Sequence, residues 1–258
     1  MRHPLLSLFI PLLLVTSSHA DFEAMRQRAQ AAASKNGSTQ NRPRDTMGKR
    51  ALTASLQGAR EGNANAQFSL GGIYCQGIVV TRDYAKAIEW FTKAAEQGHT
   101  KACYNLGHLY FNGRGTTVDY DKAFQWFSRA ANDGDAKAQL YMASMHYDGK
   151  GTEQNYEKAF RWYKQLAEQC YPEAEYMLGH MYELGLGTPA NEEMARFYLE
   201  RSSKQSYGKA QFDLATLYLQ NDPPMAEDAR KLMQSAYLNG MGEAKDVIER
   251  YGWELIEP

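Results

Sequence analysis

Cysteine, proline, long apolar runs and any excess of one charge are all scarce in this sequence. Of 258 residues, three are cysteine and eight are proline. The thiols Cys75, Cys103 and Cys170 cannot all pair, so a disulfide-built scaffold is excluded. They are read as free and buried, because unpaired cysteine behaves as a small hydrophobe. Lys and Arg number 29 against 30 Asp and Glu, for a net charge of -1. A nucleic-acid binder shows a dominant basic face, so this even balance argues against nucleic acid as a partner. Beyond residue 20 no stretch is long and apolar enough to span a bilayer.

The first twenty residues differ from all that follow. MRHPLLSLFIPLLLVTSSHA has a basic start at Arg2, an apolar run from Leu5 to Val15, and Ser18-His19-Ala20 before Asp21. This pattern predicts a signal peptide over 1–20, cleaved after Ala20, and places the protein in the periplasm or outside the cell. The competing reading, an uncleaved anchor, asks a run broken by Pro11 to cross a membrane. No cysteine follows Ala20, which argues against a lipoprotein anchor. Residues 21–47 predict a short helix followed by a polar, flexible linker.

From there on, the chain repeats itself. Sliding by 36 positions superposes Leu70, Leu106, Met142, Leu178 and Leu214, and likewise Trp90, Trp126 and Trp162. A period of this size signals a solenoid rather than a globular enzyme. In the unit Lys101 to Gly134, the residues Ala102, Leu106, Leu109 and Tyr110 recur at helical spacing and define a helix A ending at Gly113. Asp119 then caps a helix B carrying Tyr120, Ala123, Phe124, Phe127, Ala130 and Ala131. One such hairpin cannot bury both faces, so copies must stack. The predicted solenoid spans 48–258: a capping helix at 48–62, repeats at 63–98, 99–134, 135–170, 171–206 and 207–240, and a C-terminal cap at 241–258. In the fifth repeat, Asn221 stands for the helix-A cap glycine and Asp222-Pro223 restarts helix B. Trp253 is expected to fold back over the last apolar face, and Trp126 to lie in the core between neighbouring helices.

The string A-x-x-x-L-G-x-x-Y-x-x-G-x-G, followed by D-Y-x-K-A-x-x-W-F-x-x-A-A-x-x-G, resembles the Sel-one-like repeat (SLR), a relative of the tetratricopeptide repeat. The resemblance implies an all-α fold, a right-handed superhelical solenoid of two-helix repeats. Local departures are His146 at the tyrosine position, Cys170 at a cap glycine, and Tyr198 at the tryptophan. His146 is read as a buried imidazole with its hydrogen bonds satisfied. In a cysteine-rich branch of the family a late helix-B cysteine pairs with an early helix-A one; here Ala95 stands opposite Cys103, so that bridge is absent.

Catalytic and metal signatures are weak. Gly113-Arg114-Gly115, Gly149-Lys150-Gly151 and Gly185-Leu186-Gly187 lack the strand context of a phosphate loop. Ser206-Tyr207-Gly208-Lys209 matches S-x-x-K without the companion motifs of penicillin-binding enzymes. His108 and His180 stand two repeats apart, about 20 Å at ordinary helix spacing, and cannot share an ion. No cofactor is implied.

What remains is surface. In tetratricopeptide-like repeats helix A lines the concave groove, and mapping those positions gives Tyr104, His108, Phe111 and Asn112, then Leu140, Ser144, Tyr147 and Asp148. Tyr176, His180, Glu183 and Leu184 follow, with Phe68 before and Phe212 after. Tyr104, Leu140, Tyr176 and Phe212 fall where the family keeps a packing residue. Phe111 and Tyr147 are expected exposed together on the groove, because Cys75, Glu183 and Leu219 replace them elsewhere. The expectation is a non-enzymatic scaffold that binds a protein or peptide in that groove. The resemblance implies roles such as envelope adaptor, regulator, host-contact factor or immunity protein against a secreted lipase toxin. The alternative is a hydrolase acting on penicillin or cell wall, as implied by the cysteine-rich branch. If Ser18-His19-Ala20 is a cleavage site, intact-mass measurement of exported protein will find a chain beginning at Asp21; Met1 on that protein would overturn the reading.

Overall fold

The computed structural model describes residues 43–220 and 226–256. Among them are twelve helices and no strand. Helix α1 (Pro43–Arg60) is followed by five pairs: α2 (Ala64–Gln76) with α3 (Tyr84–Glu96), α4 (Thr100–Phe111) with α5 (Tyr120–Asn132), α6 (Ala136–Asp148) with α7 (Tyr156–Glu168), α8 (Pro172–Leu184) with α9 (Glu192–Lys204), and α10 (Gly208–Gln220) with α11 (Ala226–Leu238). Helix α12 (Glu243–Arg250) ends the series. From α2 onward each helix packs on the next in chain order, an all-α solenoid of repeats. The even-numbered helices α2 to α10 are the A helices of the repeats and their partners the B helices. The predicted signal peptide, most of the predicted linker and the Asp222-Pro223 restart lie outside the described residues. The linker was expected to run to residue 47, but α1 starts at Pro43. Proline suits that first position because the N–H it lacks would have no helical acceptor.

The B helices α3, α5, α7 and α9 each begin on a side-chain cap. Asp83, Asp119, Asn155 and Asn191 are extended, and each accepts from the backbone N–H three residues on, at 2.8–3.0 Å. The A helices of the first three pairs use Asn63, His99 Nδ1 and Asp135 in the same way. Tyr171 offers no cap, and Pro172 at the first helical position takes its place.

Within a pair the two backbones come close where helix A has no side chain. A methyl at Gly107 would stand 2.6 Å from Phe127 Cδ1, and one at Gly71 the same distance from Phe91 Cδ1. Phe91 and Phe127 are fully buried as a result. Between pairs, Gly151 in the α6–α7 loop (φ 65) lies so close to the start of α5 that any side chain would strike the Tyr120 backbone. These loop glycines are stacking devices.

A polar rung recurs at each junction. Gln67, Gln139 and Gln211 are buried, and each donates its amide to the carbonyl eight residues back, of Ala59, Ala131 and Ser203, at 3.2–3.3 Å. Cys103 holds the same place with a weak sulfur contact to Ala95 O at 3.9 Å. In the fourth repeat the residue is Glu175, which is fully buried and as a carboxylate has nothing to donate. Arg201 on α9 supplies the missing donor: its Nη2 reaches Ala167 O at 3.3 Å and stands 2.7 Å from Glu175 Oε1 as an ion pair. Gln205 Nε2 donates to Glu175 Oε2 at 2.7 Å. Burial raises the Glu175 pKa, and Arg201 and Gln205 work against that rise.

Four expectations need correction. Trp126 is only half-buried, packed at the margin of the core beneath Arg129, whose guanidinium carbon is 4.7 Å from the ring; Phe127, one residue on, is the fully buried ring. Cys170 is exposed rather than buried. It and Ser206 adopt φ of 61° and 63° at the turn where Gly98 and Gly134 stand, a conformation that turns their side chains to solvent at a backbone cost of about 1–2 kcal/mol. His146 is buried as expected, but its Nδ1 has no hydrogen-bond partner. Burial, and secondarily Lys158, hold its pKa down and keep the ring neutral. Tyr147 is buried rather than groove-exposed, for reasons given below. Phe127→Ala is expected to cost about 3–5 kcal/mol in urea unfolding; Trp126→Ala should cost clearly less, and equal losses would contradict this assignment.

Candidate protein-interaction face

Two side-chain clusters bridge successive A helices. In the first, Tyr104 and His108 on α4 meet Tyr141 on α6, with ring centroids 6.1 and 6.2 Å apart. Phe111 stands edge-on to Tyr141 at 5.3 Å and to Tyr120 at 5.2 Å. Tyr141 itself stacks flat on Phe127 at 4.3 Å, which ties the cluster to the core below. Tyr104, His108, Phe111 and Tyr141 are half-buried, and Tyr120 is more open. Lys150 Nζ sits 5.9 Å from the Phe111 ring and 2.9 Å from Asp148 Oδ2, so this charge pair borders the aromatic patch.

The second cluster joins α8 to α10. His180 Nε2 lies 3.1 Å from Asp213 Oδ2, and its Nδ1 lies 3.4 Å from Glu183 Oε2. Tyr176 stands edge-on to the imidazole at 4.6 Å and contacts Tyr207 at 5.3 Å. Burial alone would pull the His180 pKa down, but the hydrogen bonds and charges of Asp213 and Glu183 outweigh it and push it up to about 9. The same hydrogen bond to His180 holds Glu183 below its usual range. The ring is therefore an imidazolium at neutral pH, clamped between two carboxylates.

These clusters account for Tyr104, His108 and Phe111, and for His180 and Glu183, among the residues expected on the groove. Asn112 is exposed, but its amide folds back onto His108 O at 2.8 Å. Ser144 is half-buried, and Asp148 is engaged by Lys150. Tyr147 is the exception, only 9% exposed and edge-on to Tyr156 at 5.2 Å in the core that holds Tyr163. Its variability in type across repeats is therefore no sign that it faces solvent here.

Tyr141, Asp213 and Lys150 were missed. His180 reaches forward 33 residues to Asp213, and His108 reaches 33 to Tyr141. At these two contacts the offset is one repeat less about one helical turn. That offset would have found both partners from the sequence. Metal chemistry has no counterpart: among the described residues no three His, Cys, Asp or Glu side chains converge to hold an ion. Ser206 of the S-x-x-K string is an exposed turn residue doing the conformational work that glycine does elsewhere.

A model of the Sel1 repeat matches residues 64–99, 100–135, 136–169, 172–207 and 208–241, well over half of the chain. The chain belongs to the Sel1 repeat family. Among solved structures it is similar to a protective antigen of uropathogenic Escherichia coli with an SLR fold: TM-score 0.69 and 28% identity, over 80% of this chain and 45% of that one. A Sel1 repeat protein from Oxalobacter formigenes gives TM-score 0.67 and 29% identity, over 78% of this chain and 88% of that one. The chain thus spans less than half the length of the E. coli antigen. An immunity protein of Pseudomonas aeruginosa aligns at TM-score 0.43 and 20% identity, too distant to carry a functional argument. No curated protein sequence matches. The Sel1 repeat fold suggests a protein-interaction scaffold. Among the described residues no helix is long and apolar enough to cross a membrane.

The histidine clamp has a measurable signature. Free histidine titrates near 6.5, and His180 in the fold near 9, so its stabilisation is complete below about pH 6.5 and is lost as pH rises through about 9. The stability advantage of wild type over His180→Gln should shrink by roughly 1–2 kcal/mol between pH 6.5 and 9.5, allowing for partial exposure of the ring. A pH-independent difference in urea midpoints would show that the clamp is not formed.

Proposed function

We propose that this protein is a non-enzymatic interaction module, exported to the periplasm or secreted, that holds a protein or peptide partner on the face of α2, α4, α6, α8 and α10. The observation that carries the proposal is the half-exposed aromatic patch of Tyr104, His108, Phe111 and Tyr141, built across two repeats and anchored on Phe127. Aromatic side chains that are rigidly held yet open to solvent are the kind that dominate binding energy at interfaces. Asn112, Ser144 and the Lys150–Asp148 pair border the patch and supply a polar rim. Further along, Leu184 is 58% exposed beside the open carboxylate of Glu183, a pairing that suits an aliphatic and a basic side chain on the partner. Export rests on the predicted signal peptide. Such a face would serve an envelope adaptor, a regulator or a neutraliser of a secreted lipase toxin, and the identity of the partner separates them.

Replacing the patch aromatics would damage the core, so the test adds bulk at its exposed border instead. Asn112→Arg with Leu184→Arg should weaken capture of the partner that wild type retains from envelope extract by about a hundredfold or more, at 1.4 kcal/mol per decade. Gln125→Arg with Lys164→Glu, on exposed positions of the B helices, should leave capture intact. Capture lost with the second pair and kept with the first would place recognition on the helix-B side.

A further inference from the structure

The end of the chain is gripped as well as packed. After α12 the chain turns at Gly252 (φ 66) and runs back along α11. There Gln234 binds both main-chain groups of a single residue: its Nε2 donates to Ile256 O at 2.7 Å, and its Oε1 accepts from Ile256 N–H at 3.2 Å. Trp253 and Leu255, two residues apart, pack on the terminal core of Ala215, Met233, Ala236, Ala244 and Ile248. The Ile256 side chain points away and is 58% exposed. Alternate side chains inward, with the main chain held by paired N–H and C=O bonds, is how a strand is recognised at a sheet edge. Here one glutamine on a helix replaces the edge.

We propose that the α11–α12 surface is a strand-accepting site, filled in cis by residues 253–256, that takes an extended partner segment with apolar side chains at alternate positions. The main-chain grip reads no sequence, and the two apolar positions supply the selectivity. A tether this short holds the tail at an effective concentration in the millimolar range. A competing segment therefore enters only when it binds better or is already anchored elsewhere on its partner. The site is separate from the helix-A face and stands whether or not that face binds anything.

The test uses the full chain and a labelled peptide with the sequence Gly-Trp-Glu-Leu-Ile-Glu-Pro, the chain's own last seven residues. Trp253→Ala with Leu255→Ala removes both apolar anchors of the cis tail, and this variant should bind the peptide at least about tenfold more tightly than wild type does. Adding Gln234→Ala, or using a peptide N-methylated at the isoleucine, should cancel that gain. Circular dichroism and urea unfolding establish that each variant is folded. In wild type the Ile256 amide should exchange with solvent more slowly than in Gln234→Ala, a reading that needs no second variant. A folded double variant with no affinity for the peptide, or binding and exchange indifferent to Gln234→Ala, would overturn the proposal.

Discussion

The contact on which the rest depends is a ring set against bare backbone. Where Phe127 meets Gly107, and Phe91 meets Gly71, no Cβ stands between helix A and the aromatic ring of helix B. That closeness fixes how near the two helices of a pair lie, and hence where their outer faces fall. Tyr141 can stack flat on Phe127 only because Phe127 has been drawn fully inward. The proposed interaction face is thus the outermost layer of a column that begins at a missing side chain: glycine, buried ring, stacked tyrosine, then the half-exposed Tyr104, His108 and Phe111. A substitution at Gly107 would disturb the surface from beneath without touching it.

The repeat organisation was legible in the sequence because a solenoid writes its packing in period. Leucines, glycines and aromatics that recur every 36 residues can only be doing the same work each time. What the period conceals is the direction of each side chain within a turn. Trp126 and Phe127 are adjacent and both aromatic, and the sequence placed both in the core; the helix buries the second fully and leaves the first half-buried beneath Arg129. Tyr147 was misjudged in the same way. Its replacement by Cys75, Glu183 or Leu219 in other copies looked like freedom from packing, but in its own repeat it lies in the core beside Tyr163.

The proposed interaction face was half legible. His108 and His180 were read from the sequence as facing the groove, and the structure finds both half-buried; the partners Tyr141 and Asp213 lie in the next repeat, one helical turn out of step, where comparison of equivalent positions never looks. Tyr141 and Asp213 share a column in which Ser69, Asn105 and Met177 also stand, and so much variety reads as noise until the offset is known. Non-equivalent positions meet across a junction, and that is where individual character enters an otherwise periodic molecule.

The exception at Glu175 bears on how such a chain can lengthen or shorten. The buried carboxylate and the arginine that neutralises it both belong to the fourth pair, α8 with α9, while from the third they take a main-chain carbonyl at Ala167 and a weak contact with the Cys170 sulfur at the turn. Every helix B ending offers a carbonyl there. Duplication of that pair would carry acid and base together into the new copy, and its loss would strand neither. The one internal ion pair of the rung is portable, so the gene can gain or shed this repeat without leaving a lone charge in the core.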